Sequence, residues 1–367
     1  MKSAKNHAWI IVTGAIIGGV AVMLGKLGNP ANMGLCIACF TRDIAGALGL
    51  DGTPTVQYLR PEIPGILLGA FGLALFRREW NPLSGKGTAG ESGVLIRFVI
   101  AFFVMLGCLV ALGCPLRMAI RLGSGDFNAI AAIAGFFAGI GAGCLWLRKG
   151  FSLGKSADSG TGIRTANSLL LPLLAVALLV FVVIQPSFIK FSEQGPGSQH
   201  APVIVSLVAA LLIGLLCQKS DFCIAGGIRD IFLLRKAGGF FGYLMIILVV
   251  FMCNIILGNF KPGFAGQPIA HQDQLWNFLG MGLVGYGSVL IEGCPLRQLI
   301  KAGNGNSGAG ICIFAFLLAG ATAHNFGIAA SPSGVPLNGK IAVLIGFALI
   351  SFLAPLCTTR KAAEIKA

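Results

Sequence analysis

Ten apolar stretches dominate this chain, at roughly 8–28, 62–77, 94–112, 128–147, 168–188, 201–217, 239–258, 275–291, 308–325 and 338–357. Several reach the roughly 18 residues that a helix needs to cross hydrocarbon. In lipid, every backbone N–H and C=O has to find its partner inside the spanning structure, which leaves helices or closed barrels. A barrel would alternate polar and apolar residues, and these runs do not. With 56% hydrophobic and 11% charged residues and a mean hydropathy of +0.85, the chain lies outside the soluble globular range. The fold class is an all-α polytopic membrane protein.

The net charge of +14 sits in short clusters between the runs: Lys2 and Lys5; Arg77 and Arg78; Arg148, Lys149, Lys155 and Arg164; Arg235 and Lys236; Arg360, Lys361 and Lys366. Threading the spans in order brings every cluster to one side, which the positive-inside rule assigns to the cytoplasm together with both termini. Basic charge distributed in this way calls for a membrane and not a nucleic acid. Lys26, Asn29 and Pro30 follow the first run without a small-residue cleavage site, so that run reads as a retained span and not a signal peptide.

Two copies of one phrase interrupt the runs: Gly113, Cys114, Pro115, Leu116, Arg117 and Gly293, Cys294, Pro295, Leu296, Arg297. Proline is tolerated in a first helical turn and not in the interior, so each phrase reads as one helix ending and another starting, with the cysteine at the cap. The sulfur would then lie where unpaired backbone amides and the positive dipole end favour an anion or a thiolate. A broken helix at membrane depth is tolerated only where protein buries it or it lines a cavity. A stretch of intermediate polarity, 34–48, is too short to cross and reads as re-entrant.

A second phrase is also doubled: Cys36 to Ile44, with Arg42 and Asp43, recurs from Cys223 to Ile231, with Arg229 and Asp230. The order within each half is kept, at offsets of 187 and 180 residues. The two copies open with helices of opposite direction, so the expected architecture is an inverted repeat with broken and re-entrant helices, which sets a transporter site near the midplane. The expected division is 1–150 for the first repeat, 151–200 for a linker and connecting helix, 201–330 for the second repeat, and 331–367 for a last helix and basic tail. A Gly- and Ser-rich linker is expected over 148–167.

Cysteines repeated inside motifs stand apart from the usual small buried hydrophobe, so Cys36, Cys114, Cys223 and Cys294 are expected to string soft sulfur atoms along a path. Cys108, Cys144, Cys217, Cys253, Cys312 and Cys357 have no counterpart and read as packing residues. Cys39 forms a Cys-x-x-Cys pair with Cys36, but its counterpart is Gly226, further zinc ligands are missing nearby, and no soluble redox context surrounds it. The four histidines have no metal spacing, and neither a metal nor a cofactor is expected. Arg117 and Arg297 lie three residues past their cysteines, on the same helical face, and suit an oxyanion. Asp43 and Asp230 suit partners for buried arginines. Glu292, whose counterpart is Leu112, breaks the symmetry and suits an ion pair or a coupling group.

On these doubled phrases the chain resembles the YeeE/YedE family of bacterial inner-membrane sulfur-compound transporters, and within it the YedE branch associated with selenium metabolism. The resemblance implies an hourglass-shaped inverted repeat whose cysteines, here Cys36, Cys114, Cys223 and Cys294, pass thiosulfate inward by transient S–H···S contacts. It also implies a small cytoplasmic sulfur-carrier protein as partner. The thiosulfate branch uses a smaller, asymmetric set of cysteines, whereas this chain fills both symmetric pairs. The expected activity is uptake of a small sulfur- or selenium-containing anion without covalent turnover. A membrane thiol oxidoreductase or sulfurtransferase and a passive anion channel are the alternatives, and the first finds no flavin, haem or quinone motif to support it.

Overall fold

The computed structural model describes residues 2–80, 91–153 and 161–358. Lys155 and residues 158–160 of the expected linker, and the basic tail with Arg360, Lys361 and Lys366, lie outside the described residues.

Fourteen helices run through the described residues: α1 (Lys2–Lys26), α2 (Ile37–Ala47), α3 (Glu62–Phe76), α4 (Glu91–Val110), α5 (Pro115–Gly123), α6 (Asn128–Arg148), α7 (Thr161–Ile184), α8 (Val203–Ser220), α9 (Ile224–Leu234), α10 (Phe240–Ile256), α11 (Gln274–Leu290), α12 (Pro295–Gly303), α13 (Ser307–Asn325) and α14 (Leu337–Leu356). Seven stretches are long and apolar enough to cross a membrane, and 62–76, 169–184 and 240–256 are shorter apolar helices. Together they coincide with the ten apolar runs. The remaining helices, α2, α5, α9 and α12, are half-length and follow the cysteine phrases. One expectation is corrected: residues 161–167 open α7 and are not linker, the helix of the apolar run from 169 being extended back over them by propagation.

Helices related by the repeat run in opposite directions. Thr13 of α1 bonds Ser220 at the end of α8, while the Ala201 N–H before α8 donates to Asn29 beyond the end of α1. Between α4 and α11, Gly107 faces Gly280, and Gly287 faces Ile100 and Val104. Other pairs across the halves, not related by the repeat, pack in parallel. Gly135, Gly139 and Gly143 of α6 match Phe278, Gly282 and Val289 of α11. Gly14 and Gly18 of α1 match Gly242 and Ile246 of α10, and Gly65 and Gly69 of α3 match Ala210 and Leu211 of α8. Small residues at these crossings let backbones touch, which is how helices gain packing energy in lipid without a hydrophobic drive between them. A Cβ on Gly139 would lie 1.9 Å from the Gly282 carbonyl oxygen.

The interlock is symmetric. Gly123 of α5 abuts Ile247 and Val250 of α10, and Gly303 of α12 abuts Leu67 and Ala70 of α3, the same contact shifted by 180 residues. Arg148 at the end of α6 donates to the Phe232 carbonyl of α9, and Gly238 between α9 and α10 abuts His7. The ends carrying Arg77, Arg78, Arg148, Lys149, Arg235 and Lys236 thus share one face with the start of α1, called the basic face below. Residues 27–36, 48–61, 185–202 and 257–273 form the opposite face.

Candidate functional site

Each Gly-Cys-Pro-Leu-Arg phrase folds into the same reversal. Leu112 and Glu292 take left-handed φ of 55° and 64°, and Gly113 and Gly293 follow at 155° and 157°, where a side chain would be strained. The chain then starts α5 or α12 with proline in the first turn and Cys114 or Cys294 as the extended N-cap residue. The Cys-Ile-Ala phrases do the same for α2 and α9. Cys36 is the N-cap of α2 and its sulfur accepts the Cys39 N–H at 3.3 Å; Cys223 caps α9 and accepts the Gly226 N–H at 3.2 Å.

These four caps meet in two couples, each within one copy. The sulfurs of Cys36 and Cys114 lie 3.9 Å apart, and Cys223 and Cys294, both free thiols, are likewise neighbours. Cys114 and Cys294 cap α5 and α12 without a side-chain capping hydrogen bond of their own. In each couple two helix N-termini meet at two free thiols, a setting that favours a soft anion.

The charged residues differ between the copies. Arg117 is fully buried, and its guanidinium donates to the carbonyls of Asn32, Leu112 and Ile269 and to the Cys39 sulfur. Arg297 is partly exposed, bonds Asp221 at 3.0 Å, and keeps Nη1 buried without a partner. Asp43 accepts from Arg42 at 2.6 Å and from Arg60 at 2.7 Å with all three buried, whereas Asp230 pairs with Arg229 alone at 2.9 Å and both are about one-third exposed. Glu292 pairs with Lys301 at 2.9 Å. Arg121, the counterpart of Lys301, is buried against Asp126 at 2.6 Å.

A cavity of about 820 Å³ opens at the basic face and reaches Cys223, with Asp221, Arg229, Glu292, Arg297 and Lys301 in its wall. In the first copy Cys36, Cys39, Arg42, Asp43 and Arg117 are buried, and a smaller cavity of about 390 Å³ on the opposite face reaches Asn32 and Gly34. Arg60 donates to the carbonyls of Gln199 and Pro196 and lies over the rings of Phe40 and Tyr58 at 4.6 and 5.1 Å. Cys36, Cys39, Cys114 and Cys294 are buried, and Cys223 is half-exposed.

Cys108, Cys144, Cys217 and Cys312 are buried among apolar neighbours, and Cys253 and Cys357 are partly exposed. Among the described residues no group of three His, Cys, Asp or Glu could hold a metal ion. Arg60, Arg121, Asp221, Tyr243 and Lys301 at the site escaped sequence reasoning. Arg60 and Asp221 lie outside the doubled phrases. Tyr243 of α10, buried with its hydroxyl on the Pro115 carbonyl, lies within electrostatic range of both Cys114 and Cys294. At the 180-residue offset its counterpart is Ile63, so a comparison of the two copies flags it as a break in symmetry.

Residues 219–365 match a protein family described as sulphur transport. The thiosulfate transporter TsuA of Escherichia coli (strain K12) is 26% identical to this chain over 116 residues, which are 32% of each chain. The match therefore spans about a third of that relative's length.

Proposed function

We propose that this chain, which matches the sulphur-transport family over residues 219–365 and resembles the YeeE/YedE transporters, carries a small sulfur-containing anion of the thiosulfate class across the bacterial inner membrane. The observation that supports this reading best is the pair of sulfur couples, each set between two helix N-termini, with one couple reached from a cavity. The sulfurs supply polarisable contacts to a sulfane end, and the amides and arginines compensate the oxyanion end. Dehydrating a doubly charged anion is the main barrier, and two half-sites in series divide it. The basic clusters around the cavity mark that face as cytoplasmic, with both termini there, so the anion enters past Cys36 and Cys114 and leaves past Cys223 and Cys294. On the family resemblance, a selenium-containing anion is a further substrate, and a small cytoplasmic sulfur-carrier protein receives the cargo at the cavity.

Proteoliposomes holding only the purified protein test this. Wild-type protein is expected to accumulate labelled thiosulfate, and Cys114→Ala and Cys294→Ala are expected to lose at least nine-tenths of the rate while still inserting. Normal uptake by both variants, or a covalent sulfur adduct trapped on a cysteine during turnover, would overturn the reading in favour of a channel or a sulfurtransferase.

A further inference from the structure

The two copies carry different charge at matched positions. Around the first sulfur couple the aligned residues are Arg42, Arg117 and Arg121 against Asp43, an excess of two positive charges. Arg60 and Asp126, which have no charged counterparts, add one charge of each sign and leave that excess unchanged. Around the second couple the aligned residues Arg229, Arg297 and Lys301 balance Asp230, Asp221 and Glu292, and Arg97, buried with Nη1 on the Ile291 carbonyl and aligned with Asn277, adds one positive charge.

Among the aligned positions the difference comes from two, Asp221 in place of Gly34 and Glu292 in place of Leu112. Each acid stands two residues before a couple's cysteine, and each bonds the cation of the half-helix that follows Cys294: Asp221 to Arg297 at 3.0 Å and Glu292 to Lys301 at 2.9 Å. The first copy has no room for an acid at one of these positions, since a Cβ on Gly34 would meet the Ala21 carbonyl oxygen at 1.9 Å.

We infer that Asp221 and Glu292 are release residues: tethered carboxylates that compete with the transported anion for Arg297 and Lys301 and so keep the exit half-site weak. This rests on the transport reading above. An anion drawn by the uncompensated charge of the first half-site has to let go at the second, and a cation already held by an internal carboxylate gives up a ligand with less loss. Both carboxylates are well exposed, at 69% and 55% of their side chains, so amide replacements leave the fold intact.

The test compares wild type, Asp221→Asn/Glu292→Gln, and Asp221→Glu. Calorimetry on purified protein is expected to show thiosulfate binding about tenfold tighter in the double variant, the scale of two half-exposed ion pairs. In proteoliposomes KM and maximal uptake should fall together, and the difference should shrink in high salt. Asp221→Glu, which keeps the carboxylate, should bind thiosulfate more weakly than the double variant. Unchanged or weaker binding by the double variant, or faster turnover, would overturn the inference while leaving the transport reading intact. Absence of wild-type uptake would sink the transport reading itself.

Discussion

At the scale of single residues, backbone conformation and burial decide what the site can hold. Asp221 tolerates a left-handed φ of 54° at the end of α8, where it terminates the helix and turns its carboxylate toward Arg297. His271, in the loop before α11, is 1% exposed. Its Nε2 donates to the Val110 carbonyl at 2.9 Å, while Nδ1 accepts the Asp273 N–H at 3.3 Å, so both nitrogens are used by the neutral ring. Burial, with Arg121 nearby, pushes this imidazole below its usual value. The unfolded chain therefore binds more protons than the folded one below about pH 6.5. Stability is full above that pH and is lost as pH falls toward the folded value. Thermal unfolding in detergent should show a lower midpoint at pH 5 than at pH 7.5, and His271→Gln should flatten that slope.

Elements are held by how closely they approach. Gly139→Ala puts a methyl group into the Gly282 backbone across α6 and α11, and it should cost about 1–3 kcal/mol or more. Gly19→Ala faces open space on α1 and should leave the unfolding midpoint unchanged or slightly higher. The spans were legible because hydropathy alone sets them, and the starts of α5 and α12 because proline is best accommodated in a first helical turn. The doubled cysteine phrases also marked α2 and α9. Which sulfurs touch was not legible. Aligning the copies makes Cys36 equivalent to Cys223, yet equivalence under a two-fold axis says nothing about contact, and the contacts join Cys36 to Cys114 and Cys223 to Cys294. Arg60 was hidden for a similar reason: its partners, Asp43 and the carbonyls of Pro196 and Gln199, are brought together only by the fold.

Across the whole molecule, the two faces of a symmetric framework are in different states. A membrane-impermeant thiol reagent applied to the basic face should modify Cys223, read as a mass shift on its peptide, while Cys36 and Cys114 stay unmodified from either face. Arg60→Ala removes the ion pair and the ring contacts that tie 48–61 and 185–202 over α2, and it should expose Cys36 to reagent from the opposite face. The symmetric interlock also governs how the chain is assembled. The glycine faces of α1, α3 and α6 find their mates on α10, α8 and α11, so a nascent polypeptide halted before α8 has inserted helices with nothing to close against. Biogenesis must hold those faces apart from quality-control proteases until the second set emerges. Two separately encoded fragments, split between α7 and α8, should accumulate only when made in the same cell.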